Sequence, residues 1–73
     1  MKQEQRQFLK GKLVSQDITL KALAKHIGIS YIALYRKMKG LSSFTVPEIE
    51  SISKLLKLSA EEMNYIFFAI NMS

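Results

Sequence analysis

The segment from Thr19 to Gly40, TLKALAKHIGISYIALYRKMKG, constrains the fold of this 73-residue chain more than any other part of it. Its first half places apolar residues at the spacing of one buried helix stripe, namely Leu20, Leu23, Ala24 and Ile27. Thr19 precedes this stripe and is a typical N-cap residue. The pattern predicts a short amphipathic helix that begins just after Thr19.

A glycine and a serine follow the stripe where one helix would end and the next would begin. Gly28 can adopt the left-handed conformation that ends a helix, and Ser30 can cap the following helix. Between them, Ile29 is placed to fill the corner between the two helices, and Ala24 is small enough to let their backbones approach. The combination predicts a helix-turn-helix over residues 19–40.

This combination resembles the lambda-repressor-like helix-turn-helix proteins, also called the xenobiotic-response-element (XRE) family. The matching residues are Leu23, Ala24, Gly28, Ile29, Ser30, Leu34, Arg36, Lys37 and Gly40. The later segment FTVPEIESISKLLKLSAEEMNYIFF is similar, more loosely, to the next two helices of small phage-type regulators. The resemblance implies an all-α, compact five-helix domain that binds operator DNA as a two-fold homodimer, with the recognition helix, residues 31–39, in the major groove.

Helical periodicity and the resemblance assign different buried faces to this second helix. The 3.6-residue period groups four residues on one buried stripe, namely Tyr31, Leu34, Tyr35 and Met38. The resemblance moves the buried line to Leu34 and Lys37 and turns both tyrosines toward DNA. Both schemes bury Leu34 and direct Ile32 and Arg36 outward.

The outward side chains of this helix are of types that contact DNA. Arg36 can donate two hydrogen bonds to a guanine, although a phosphate contact or an ion pair is the alternative. Ile32 can pack on a thymine methyl, although single exposed apolar residues are common on protein surfaces. Together with the resemblance, this chemistry predicts the DNA-binding residues Ser30, Tyr31, Ile32, Tyr35, Arg36, Lys37, Lys39 and Ser42.

Three departures from the family pattern affect the expected phosphate contacts. Leu20 stands where many relatives have a phosphate-binding glutamine, and Lys37 occupies a usually apolar position, where its stem can pack while its ammonium reaches water. The loop after Gly40 begins with Leu41, Ser42 and Ser43 rather than with basic residues. Fewer cationic contacts predict a shallow salt dependence and weak non-specific binding.

Charge is distributed unevenly along the chain, whose net charge is +5. Residues 1–40 hold nine Lys or Arg and two acids, whereas residues 41–73 hold two Lys and four acids. This asymmetry favours one phosphate-facing surface, the alternative being solvated helix faces. The absence of cysteine argues against a disulfide framework or a thiolate metal site. With a polar start and no long apolar run, we expect a cytoplasmic protein of a bacterial cell or of a phage's host.

The remaining chain predicts three more helices in a single domain, residues 1–73. One runs from about Gln3 to Ser15, one follows the Thr45–Glu48 capping box, and one runs over residues 60–70 after the Ser59–Glu62 capping box. The last helix has a predicted core stripe and a further apolar set. The core stripe is Met63, Ile66, Phe67 and Ile70, and the further set is Tyr65, Phe68, Ala69 and Met72. This excess predicts a dimerisation element, the alternative being that the helix lies flat and completes the core.

Enzymatic interpretations find little support in the sequence. His26 is the only histidine and falls on the polar face of a helix, and the pair Glu61 and Glu62 fits the first turn of one. We therefore expect no catalytic residues, cofactor, metal or small-molecule effector. The sequence predicts a DNA-binding transcriptional regulator of the phage or mobile-element repressor type. The alternative is a protein-interaction module, such as an anti-repressor or an assembly partner, that uses the same scaffold.

Overall fold

The computed structural model describes residues 1–68, which form five α-helices and no strand. The helices are α1 (Gln3–Ser15), α2 (Leu20–Ile27), α3 (Tyr31–Met38), α4 (Val46–Leu56) and α5 (Ala60–Met63), and a π-helical turn follows at Asn64–Phe68. The all-α prediction is confirmed for these residues. None of the helices in this part of the chain has the length and apolar character of a membrane span.

Four of the helices begin where side-chain caps predict. The Thr19 and Ser30 hydroxyls accept hydrogen bonds from the backbone N–H groups of Ala22 and Ala33, each at 3.0 Å. The capping boxes predicted at Thr45 and at Ser59 are both formed. Because a cap satisfies backbone N–H groups that have no partner inside the helix, these residues fix the helix starts locally.

The turn between α2 and α3 has the predicted conformation. Gly28 adopts the left-handed region with φ 79° and ψ 28°, and the N–H of Ile29 donates to the Ala24 carbonyl at 3.0 Å. Ile29 is partly buried and packs against the core. Two short helices joined by a tight turn are therefore present within residues 19–40, as predicted.

Substitution of Gly28 by alanine is expected to lower the free energy of unfolding by about 1 kcal/mol, because an L-residue is strained in the left-handed region. An added Cβ would meet nothing within 4 Å, so no steric clash adds to this strain. Gly11→Ala is the matched control, since it also adds its Cβ to open space but lies within α1. It should stabilise the protein by about 0.5–1 kcal/mol. Urea denaturation measures the free energy of unfolding of both variants. A lower value than wild type for both would contradict the conformational explanation.

One hydrophobic core joins the helices. Its members are Leu9, Leu13, Leu23, Ala24, Leu34, Met38, Ile52, Leu56 and Ile66. Leu9 and Leu13 lie one turn apart on α1, and Ile52 and Leu56 lie one turn apart on α4, so each helix buries one face. The core holds α3 by Leu34 and Met38, which are 0% and 2% exposed, and this fixes which face of α3 remains outside.

The last helix differs from the continuous α-helix predicted over residues 60–70. Its α-helical part ends at Met63, and Asn64–Phe68 form a π-helical turn, whose hydrogen bonds span one residue more than those of an α-helix. Within this turn Ile66 is buried, and the Tyr65 carbonyl accepts a hydrogen bond from the Gln5 side-chain amide at 2.9 Å. The wider turn thus combines burial of Ile66 with a polar contact to α1. The predicted positions at Ala69, Ile70 and Met72 lie outside the described residues.

Candidate nucleic-acid interface

The outer face of α3 is formed by two tyrosines and an isoleucine. Tyr31, Ile32 and Tyr35 are 43%, 68% and 46% exposed. Met38 is buried, as the helical period predicts, whereas both tyrosines lie largely outside the core, as the resemblance predicts. The two schemes are therefore each correct in part, and the three aromatic and aliphatic side chains form one exposed patch.

Two cations accompany this patch. Arg36 is exposed, and within residues 1–68 its guanidinium takes part in no ion pair or side-chain hydrogen bond. The Lys39 ammonium lies 5.1 Å from the centroid of the Tyr35 ring, a cation–π distance. The structure thus leaves the donor groups of Arg36 available and places Lys39 beside Tyr35.

The two predicted serines lie at the ends of this region. Ser30 is exposed, and its hydroxyl accepts the capping hydrogen bond while keeping its own proton to donate. Ser42 is exposed in the loop between α3 and α4, next to Leu41, which is 67% exposed. Both hydroxyls are accessible from outside.

The Lys37 ammonium is paired with a carboxylate and only partly reached by solvent, which corrects the expectation that it projects into water. Its Nζ lies 2.7 Å from Glu48 Oε1, and each of the two side chains is only 14% exposed. Glu48 is the third residue of α4, where its capping position directs the carboxylate toward Thr45 and Lys37. Lys37 therefore links α3 to α4 and is not part of the exposed patch.

The carboxyl of Glu48 is held in its charged form by this arrangement. Burial alone raises its pKa, but the Lys37 ammonium and the Thr45 N–H both donate to the carboxylate and lower the pKa by more. The net pKa lies below the ordinary value of 4.5. At neutral pH the linkage between the two helices is thus an ion pair.

No acidic residue occurs between Asp17 and Glu48, and the carboxylate of Glu48 is neutralised by Lys37. This stretch spans α2, α3 and the following loop. Its exposed charged residues are Lys21, Lys25, Arg36 and Lys39. The surface of the helix-turn-helix therefore carries positive formal charge and little that would repel an anion.

Two further cations, which the sequence pattern did not single out, lie next to this face. Arg6 and Lys10 of α1 line a cleft of about 220 Å³ together with Tyr35 and Lys39. Their four-residue spacing, which places them on one face of a helix, is the signal that could have identified them.

His26 is exposed, and residues 1–68 contain no cluster of three His, Cys, Asp or Glu able to hold a metal ion.

A second apolar surface lies where α1 meets the π-helical turn. The rings of Phe8 and Tyr65 pack edge to face, with centroids 5.4 Å apart, and each residue remains about two-fifths exposed. Phe68 is 42% exposed on the same turn. The Lys12 ammonium pairs with Glu62 at 2.5 Å and lowers the pKa of that carboxyl. The described part of the last helix thus buries Ile66 and leaves an aromatic surface uncovered.

Comparison with known proteins yields no match. No family model matches the chain, and neither a curated protein nor a solved structure matches it.

Proposed function

We propose that this protein is a sequence-specific DNA-binding transcriptional regulator of the phage or mobile-element repressor type, and that α3 enters the major groove. The main support is the face of α3. A short helix anchored in the core by Leu34 and Met38 presents Ile32, Tyr35 and Arg36 outward, in a stretch of the chain without exposed acids. An α-helix fits the major groove, where base pairs are distinguishable.

Each exposed side chain has a role suited to its chemistry. Arg36 donates two hydrogen bonds to the O6 and N7 atoms of one guanine, and Ile32 packs on a thymine methyl. Tyr31, Tyr35 and Lys39 contact the DNA backbone or its groove edge. Backbone contacts position the helix, while base contacts provide sequence specificity.

The scaffold holds α3 in a fixed orientation for this purpose. Ser30 caps its start, and the Lys37–Glu48 ion pair connects it to α4. A rigidly held helix limits the loss of conformational entropy when it binds. Lys37 thus contributes to DNA binding by positioning α3 and not by touching the DNA.

A second copy of the chain is the proposed partner at the aromatic surface of Phe8, Tyr65 and Phe68. Each of these large side chains is about two-fifths exposed, and exposed apolar surface of this kind is typical of interaction sites. Two-fold dimers of helix-turn-helix proteins bind half-sites about one helical turn apart. We therefore expect an operator with two-fold symmetry.

Selection of bound duplexes from a random pool tests this function. The expected result is an enriched sequence with two symmetric half-sites whose centres lie about 10 base pairs apart. Enrichment of a single half-site would support sequence-specific DNA binding but reject the two-fold dimer. Failure to enrich any sequence, with no binding of random duplexes at low salt, would reject the proposal.

Arg36→Ala is expected to weaken binding of the selected duplex about tenfold and to relax specificity at one base pair, because a bidentate arginine–guanine contact contributes about 1–3 kcal/mol of discrimination. Arg36→Lys keeps the charge but loses the planar fork, so it should also relax specificity. Lys54→Ala, at an exposed position near the end of α4, is the control for lost charge. Fluorescence anisotropy measures the three affinities, and equal losses in Arg36→Ala and Lys54→Ala would contradict base recognition by Arg36.

A second candidate function is suggested by the exposure of Tyr31, Ile32 and Tyr35. The same patch could bind a protein, as in an anti-repressor or an assembly partner, since aromatic residues are enriched at protein interfaces. The two functions differ in their response to DNA. If no duplex binds at low salt and Arg36→Ala does not alter the anisotropy measured with DNA, the result favours the protein-interaction function.

A further inference from the structure

We propose that the cleft between α1 and α3 binds a backbone phosphate of the DNA, with Arg6, Lys10 and Lys39 as the cationic ligands and the Tyr35 hydroxyl as a further donor. This inference rests on the proposed function and adds α1 to the DNA-binding surface. The two α1 residues, Arg6 and Lys10, were not predicted from the sequence to contact DNA.

The lining of the cleft suits a phosphate group. Its volume is about 220 Å³, and its lining residues are Arg6, Lys10, Leu20, Tyr35, Met38 and Lys39. Three of the six are cations, one is a phenol and none is acidic. The two apolar members, Leu20 and Met38, offer no hydrogen-bonding group, so every polar side chain in the lining is one that can donate to an anion.

Two of the cations are already positioned by neighbouring groups. Arg6 Nη1 donates to the Met1 carbonyl at 3.0 Å, which orients the guanidinium and leaves its other N–H donors available. The Lys39 ammonium is held 5.1 Å from the centroid of the Tyr35 ring. Lys10 is exposed, and no ion pair engages it within residues 1–68. Within the described part of the chain, an anion bound there would therefore not have to displace an acidic partner from Lys10 or Lys39.

The position of the cleft favours a phosphate of the DNA over a free anion. Tyr35 and Lys39 belong to α3, and Arg36 follows Tyr35 directly on the outer face of that helix. Lys10 and Lys39 are exposed and Arg6 is partly exposed, so the donors are accessible to a polyanion passing across the cleft. A phosphate bound there would lie on the strand that flanks the groove occupied by α3.

Cations on α1 raise the expected salt dependence of DNA binding. A loop without basic residues, together with Leu20 in place of a polar side chain, predicts few phosphate contacts and a shallow slope. Cations from α1 add contacts that sequence matching to the helix-turn-helix cannot identify. Each phosphate contact contributes about 0.9 to the slope of log affinity against log salt concentration.

The test measures affinity for duplex DNA by fluorescence anisotropy at several salt concentrations, with wild type, Lys10→Gln and Lys54→Gln. Both variants remove one exposed lysine, so they carry the same net charge. Lys10→Gln is expected to lower the slope by about 0.9 and to weaken binding equally for the selected and random duplexes. Lys54→Gln should keep the wild-type slope. Circular dichroism verifies that both variants are folded.

The other outcomes separate this inference from the proposed function. If all three proteins bind DNA with one slope, the phosphate site is overturned and the proposed function stands. If none binds DNA, both are overturned. Titration of wild type with inorganic phosphate, followed by NMR of the Tyr35 and Lys39 amides, provides a further arm. Saturable shifts that Lys10→Gln abolishes, with an unchanged DNA slope, would assign the cleft to a free anion and overturn the DNA assignment.

Discussion

Replacing Leu34 by alanine is expected to lower the free energy of unfolding by about 3 kcal/mol. Leu34 is 0% exposed in the core that joins α3 to the rest of the domain. Leucine-to-alanine changes at such sites cost about 2–5 kcal/mol, because apolar contacts are lost and a cavity remains. A domain of this size has a total stability of only a few kcal/mol, so much of the variant should be unfolded at room temperature. Urea denaturation followed by circular dichroism measures the loss.

Ile32→Ala, two residues earlier on the same helix, is the matched control. Ile32 is 68% exposed, so its replacement should change stability by less than about 0.5 kcal/mol. The same variant should weaken binding of an operator in which Ile32 of the wild-type protein contacts a thymine methyl. Similar losses of stability in Leu34→Ala and Ile32→Ala would contradict the assignment of the inner and outer faces of α3.

The helix starts and the turn were predictable because the interactions that determine them are local. Thr19, Ser30, Thr45 and Ser59 each cap a helix through a backbone N–H only three residues away. Gly28 ends α2 by its own conformational freedom. Such signals require no knowledge of how the helices pack.

Contacts between distant residues were not predictable from the same patterns. The Lys37–Glu48 pair joins positions 11 residues apart, and the Gln5–Tyr65 hydrogen bond joins positions 60 apart. The period of a helix gives the angle between its residues but not which side the core occupies. For this reason the sequence left the exposure of Tyr31 and Tyr35 open until the positions of the neighbouring helices were known.

The candidate site was predictable to the extent that it lies on the helix-turn-helix itself. Tyr31, Ile32, Tyr35 and Arg36 are exposed on α3 as a DNA-facing helix requires. Arg6 and Lys10 lie on another helix and approach Tyr35 only through the tertiary fold. A pattern confined to one motif identifies the side chains of that motif and not those that neighbouring elements bring beside it.

Glu48→Ala is expected to lower the free energy of unfolding by about 2 kcal/mol at neutral pH. The change removes the hydrogen bond from the Thr45 N–H, which is 3.0 Å long, and leaves the Lys37 ammonium without its carboxylate partner. Loss of a cap costs about 1 kcal/mol. Breaking a fully buried ion pair costs about 3–5 kcal/mol, and we expect only about 1 kcal/mol for a pair that solvent still reaches.

Glu48→Gln separates these two contributions, because glutamine can also form the capping box but carries no charge. It is expected to cost about 1 kcal/mol at pH 7. The pKa of Glu48 lies below its ordinary value of 4.5 in the folded protein. A carboxyl group with a lowered pKa contributes stability that is complete above the ordinary pKa and is lost as pH falls through the folded pKa. Urea denaturation should therefore separate wild type from Glu48→Gln at pH 7 and show equal stability in strong acid. Glu50→Gln, at an exposed position on the same helix, is the control and should have the stability of wild type at pH 7. If Glu48→Gln remains less stable than wild type in acid, the ion-pair explanation is contradicted.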